Sequence, residues 1–162
     1  MTDSIKMTIS ASIALYETID KFLYDENKVE RKVPFSVKYK LLRDKDIVEK
    51  DVLFFNETRN SLIRRYGSED EGGVYKVLDE NVNIYREDVS KLLLTEIDHK
   101  FYKLTTDEVL QISNVDVPME NLRLFLACLV DDPDFVSEMN KKIEDPGLLS
   151  DKKEEEKVSS ES

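Results

Sequence analysis

Apolar side chains recur at steps of three and four between Thr8 and Asp25, at Ile9, Ile13, Tyr16, Ile19, Phe22 and Leu23, with Glu17, Asp20 and Lys21 between them. That spacing predicts an amphipathic helix. The charged run "DENKVERKV" then connects to Pro34, which suits a first helical turn because the amide hydrogen it lacks would have had no partner there. From Pro34 to Tyr66 a longer stripe follows: Val37, Leu41, Val48, Val52, Phe55, Leu62 and Tyr66, interrupted by Asp44, Lys45 and Arg59 and stopped at Gly67. Its opening "FSVKYKL" also alternates as a strand would, but the periodicity downstream favours one long helix. Packed as an antiparallel hairpin, the two helices bury a shared face in which each Ile, Leu, Phe or Val contributes roughly 1.5–3 kcal/mol.

Beyond Gly67 the pattern shortens. "VYKVL" (74–78) reads as a strand, Asp79 as a cap, and Val82, Tyr85, Val89, Leu92, Leu93 and Ile97 as a third helix. "KFYKL" (100–104) reads as a second strand, so a small two-stranded pairing with the third helix across it is expected. A short helix is expected to begin at Thr105 or Thr106. A firmer one follows Pro118 with Met119, Leu122, Phe125, Leu126 and Leu129 inward, and a last one carries Phe135, Met139 and Ile143 on one side. The fold class expected is mainly α (α+β): a long-helix hairpin with further short helices and a small two-stranded sheet. One compact domain should span residues 1–145. The charged tail 146–162 has no aromatic side chain and is expected to stay disordered.

Composition sharpens this picture. Of 162 residues, 40% are apolar and only four are glycine and four proline, which suits one helical domain with short connections. Acidic residues outnumber basic ones 35 to 24, for a formal charge of −11. The mean potential should repel phosphate backbones and anionic headgroups, so neither nucleic acid nor membrane is an expected partner, whereas a protein partner is. No stretch has the ~18 consecutive apolar residues of a membrane span, and the N-terminus has no secretory core. The lone Cys128 in "LFLACLV" has no disulfide partner and reads as core in a reducing cytoplasm.

The chemical signals are sparse. In "SEDEGG", Glu69, Asp70 and Glu71 offer oxygen ligands, but consecutive carboxylates without the spacing of a calcium loop read as a solvated corner, with Gly72 and Gly73 supplying positive backbone dihedrals. His99, beside Glu96 and Asp98, has no evident nucleophile to serve and reads as a partly exposed structural residue. Cys128 has no basic neighbour within a turn to activate it. Arg59, Arg64 and Arg65 complement the C-terminal dipole of the long helix. No catalytic, cofactor or metal residue is expected.

The segments "VPFSVKYKLLRDKDIVEKDVLFFNETRNSLIRRYG", "SEDEGGVYKV", "LLLTEIDHKFYKLTTDEV" and "MENLRLFLACLV", in that order, resemble a domain-of-unknown-function family of small tailed-bacteriophage proteins over about residues 30–130. The resemblance implies a phage protein without an assigned activity; with no catalytic set evident, the expectation is a non-enzymatic protein acting by protein–protein contact or as a minor virion or assembly component, in the host cytoplasm or the particle. The resemblance carries over no site residues. The alternative expectation from charge is an acidic inhibitor that imitates nucleic acid toward a host enzyme. Oligomeric state is left open.

Overall fold

A computed structural model describes residues 3–112 and 115–144. Strand β1 (Ile5–Thr8) leads directly into α1 (Ile9–Leu23), and a connection reaches α2 (Phe35–Tyr66). Strands β2 (Gly67–Glu69) and β3 (Tyr75–Val77) form a hairpin, followed by a single 3₁₀ turn (Asp79–Asn81), α3 (Val82–Leu93) and β4 (Glu96–His99). Three helices complete the chain: α4 (Thr106–Leu110), α5 (Met119–Leu129) and α6 (Pro133–Glu144). The mainly α architecture with a long helix and small antiparallel sheets is as the periodicity predicts. The tail 146–162 lies outside the described residues.

Helix α1 starts where Thr8 Oγ1 accepts a hydrogen bond from the Ala11 amide at 3.1 Å. Its far end is held by the connection, where the Arg31 guanidinium donates to the Lys21 and Tyr24 carbonyls. Asp25 Oδ1 accepts from the Asn27 and Val29 amides in the same turn. The chain thereby reverses, and α1 packs Leu15, Ile19, Phe22 and Leu23 into a core shared with Val37, Leu41 and Val48 of α2. Helix α5 closes this core from the other side through Phe125, Cys128 and Leu129, with the Phe22 and Phe125 ring centroids 4.8 Å apart.

At about 1.5 Å per residue, the 32 residues of α2 extend roughly 48 Å, far beyond the reach of α1 with its 15. Its buried positions, Val37, Leu41, Asp44, Val48 and Asp51, fall at alternating steps of four and three and stop there. From residue 52 to residue 98 no side chain is fully buried. The molecule thus has a cored proximal part and a distal part in which the end of α2, the β2–β3 hairpin and α3 only half cover one another. The two are tied by α2 and, where the chain returns, by the β1–β4 ladder and the Ile9 amide on the Thr95 carbonyl.

Several sequence expectations need correction. The third helix ends at Leu93, and Ile97 belongs to β4. "KFYKL" forms no ladder; its only bridge is Leu104 to Val130, parallel. The expected pairing of 74–78 with 100–104 does not occur. Strand β3 pairs antiparallel with β2 across a short turn, Gly67 opposite Val77, and β4 pairs antiparallel with β1, Ile5 opposite His99. A hairpin turn closes at an entropic cost about 1 kcal/mol lower than a strand–helix–strand connection, which favours β3's pairing with β2. The 3₁₀ turn, and not a side chain of Asp79, leads into α3, whose N-cap is Asn81. Met119 faces outward at 55% exposure.

Glycine serves two different purposes at the distal corner. Gly67 has an extended backbone, φ −117°, so it does not end α2 by a left-handed turn. A Cβ there would lie 2.4 Å from the Lys76 carbonyl oxygen and 2.5 Å from that of Ile63, so the hairpin can cross the helix end only over a residue without one. Gly73 alone of the expected pair takes a positive φ, 77°. Asp70 Oδ1 accepts from the Gly72 and Val74 amides, which makes "SEDEGG" a hairpin corner built around that carboxylate.

Candidate functional site

Asp44 and Asp51, one of them read from sequence as a break in the apolar stripe, occupy seam positions of α2 and are buried there. Burial of a carboxylate is expensive unless it is hydrogen-bonded, and both are used on the same piece of chain. Asp44 Oδ1 accepts from the Tyr102 backbone amide at 2.7 Å. Asp51 Oδ2 lies 2.7 Å from His99 Nε2, with each side chain 9% exposed. Seven residues apart, two turns along one face, the carboxylates grip residues 99 and 102 and hold the intervening chain extended against the helix.

This explains why "KFYKL" looks like a strand without being one. His99 and Phe101 point inward while Lys100 and Tyr102 point outward, the alternation of extended backbone, which ends before the buried Leu104. The amide of Tyr102 finds its acceptor on a helix side chain instead of on a neighbouring strand. Beyond it, the Leu104 amide and carbonyl bond Leu129 and Asp131, and Thr105 begins α4 with a capping box to Glu108. His99, expected to be partly exposed, is buried, and its partner is Asp51, not Glu96 or Asp98.

Desolvation raises the Asp44 carboxyl to about 7, against the lowering effects of the Tyr102 amide, Lys103 and Lys40. Its Oδ2 meets no hydrogen-bond partner among the described residues. Burial also pushes the Cys128 thiol up, in keeping with a core role.

The outward side of the same segment is cationic and aromatic. Arg43, Asp46, Ile47, Lys50, Lys100 and Tyr102 line a depression of about 470 Å³. A second, of about 430 Å³, adjoins it at Lys100 and Tyr102 and is bounded by Lys40, Phe101 and Lys103. Tyr102 meets Tyr39 edge to face at 6.2 Å, and the Arg43 guanidinium lies 5.3 Å over the Tyr39 ring. Lys40 is paired with Glu108 at 2.6 Å, and Lys103 donates to the Cys128 carbonyl at 2.7 Å. Arg43, Lys50 and Lys100 form no ion pair among the described residues.

Exposed apolar side chains also mark the distal part. Leu53 and Phe54 on α2, Val74, Tyr75 and Leu78 around the hairpin, Ile84 on α3 and Leu94 after it are seven of the thirteen large apolar side chains exposed among the described residues. Tyr66 secures this part from within, donating from its hydroxyl to Asp88 Oδ2 at 2.6 Å, while Asn81 donates to the Tyr66 carbonyl. Of the arginines near the end of α2, Arg59 lies 5.5 Å over the Phe55 ring.

Sequence reasoning identified neither surface. The cations of the groove come from two segments some fifty positions apart. No described helix is long and apolar enough to cross a membrane. Comparison with protein-family models, curated proteins and solved structures finds no match to the chain.

Proposed function

We infer that this chain is a non-enzymatic interaction protein whose distal part docks on a protein partner, in the setting of a tailed bacteriophage, as a minor virion or assembly component. The observation that carries this reading is the absence of any fully buried side chain from residue 52 to residue 98 together with seven exposed large apolar side chains in that stretch. A partner's surface laid over Leu53, Phe54 and Ile84 would remove apolar area from water and supply the cover that the distal part lacks. The phage setting is supported by the sequence resemblance of residues 30–130.

The test is affinity capture from infected host cells with the native chain and with Leu53→Asp and Phe54→Asp, joined to mass spectrometry of purified particles. A phage structural protein recovered by the native chain and lost with both variants is the expected result. Equal recovery by all three removes the distal surface from the reading. Recovery of a basic host nuclease or polymerase would favour the acidic inhibitor instead.

A further inference from the structure

The geometry points to the Arg43–Lys50–Lys100–Tyr102 depression as a binding site for a sugar phosphate monoester that also bears a flat aromatic base, that is, a mononucleotide. Three observations converge on that chemistry. Three cations unpaired among the described residues face one concavity that holds a single acid, Asp46, on a chain whose formal charge is −11. Cations gathered against the prevailing sign repel one another and lower stability unless an anion joins them. Tyr102, 45% exposed, forms a wall of both adjoining depressions and offers an aromatic surface beside those charges. The depression, about 470 Å³, is of the size that takes a small ligand.

The pedestal beneath matters as much as the charges. Lys100 and Tyr102 are placed by backbone that Asp44 and Asp51 pin to α2, the helix that also carries Arg43 and Lys50. The backbone positions that carry the donors on both walls are therefore fixed relative to one another before the ligand arrives, which reduces part of the ordering cost of binding. A long polyanion would meet the negative field of the remaining surface, so the free nucleotide is favoured over a strand. An Arg over one tyrosine and unpaired lysines beside another recognise phosphate and base together, which an acidic peptide does not require.

The test is calorimetric titration of the full chain at low salt with thymidine 5′-monophosphate, deoxyribose 5-phosphate, an oligothymidylate and hexaglutamate. One mononucleotide is expected per chain, bound about fivefold or more tighter than the sugar phosphate, as stacking on one aromatic ring implies. Lys100→Gln should weaken both phosphates about tenfold, the loss of one charged contact. Tyr102→Leu should erase the advantage of the base, and Lys76→Gln on the distant hairpin should change nothing. Circular dichroism checks that each variant is folded; all four side chains at issue lie outside the buried core. An oligothymidylate no tighter than its mononucleotide supports the free ligand, and a tighter one supports the same chemistry at the end of a strand. The proposal is overturned if no phosphate-bearing probe binds at millimolar concentration, if Lys100→Gln is without effect, or if hexaglutamate binds more tightly than the nucleotide. Ile84→Asp, which disables the distal surface from α3, should leave nucleotide binding intact, so the two proposals fail separately.

Discussion

The carboxylate of Asp44, on a helix, receives the backbone amide of Tyr102 at 2.7 Å, fifty-eight positions later in the chain. A side chain here does what a sheet edge usually does. The arrangement leaves a buried acid whose ionisation the fold must tolerate, and its titration has a definite sign. The carboxyl titrates near 3.8 when solvated and at about 7 in the fold. Between those values the folded chain holds a proton that the unfolded chain has released, so stability falls as pH rises through that window and is level on either side of it.

Asp44→Asn, neutral at every pH and still able to accept from Tyr102, should therefore match the native chain near pH 4 and exceed it by a few kcal/mol at pH 8. Urea denaturation at a series of pH values measures the gap. Parallel curves for the two proteins would place the Asp44 carboxyl back in its ordinary range.

Removing either half of the Asp51–His99 contact strands the other in a buried place. Asp51→Leu and His99→Leu should each cost about 2–3 kcal/mol, while the double variant should cost less than the sum. A double-mutant cycle by chemical denaturation reads the coupling, and simple additivity would show that the 2.7 Å contact contributes nothing.

Gly67→Ala places a methyl group 2.4 Å from one backbone carbonyl and 2.5 Å from another. Neither carbonyl can rotate away without moving β3 or the last turn of α2. A loss of about 2 kcal/mol or more is expected, against about 1 kcal/mol for Gly73→Ala, whose cost is the positive φ alone. Thermal unfolding of the two variants tests the order.

Protection from hydrogen exchange should divide α2 near Asp51. Amides of residues 37–48 sit over the core, whereas those of 52–66 belong to a part with no buried side chain. The second group should exchange through local opening at much lower free energy than the first. Exchange mass spectrometry would show a step within one helix, and uniform protection would mean that half-burial suffices.

How much of this was legible in the chain varies by element. The α1–α2 hairpin was, because its apolar spacing is local and long. Strand β1 was not: "IKMT" alternates over only four residues, and its partner β4 lies some ninety positions away. Asp44 misled because a charge at a seam position looks like a gap until its acceptor role is seen. "KFYKL" was correctly extended and wrongly paired, since alternation reports which side chains point inward and says nothing of where the amides are satisfied. The cationic groove was invisible for a related reason: Arg43 and Lys50, two turns apart on a helix, read as ordinary solvated charges until Lys100 is laid beside them.

The unbroken course of α2 has one more consequence. A helix without a proline or glycine between Phe35 and Tyr66 offers no joint, and sharp bends in helices arise at such breaks. Whatever seizes the far tip therefore works on a stiff lever, and any torque it applies is delivered at mid-shaft, where the paired aspartates clasp the crossing strap.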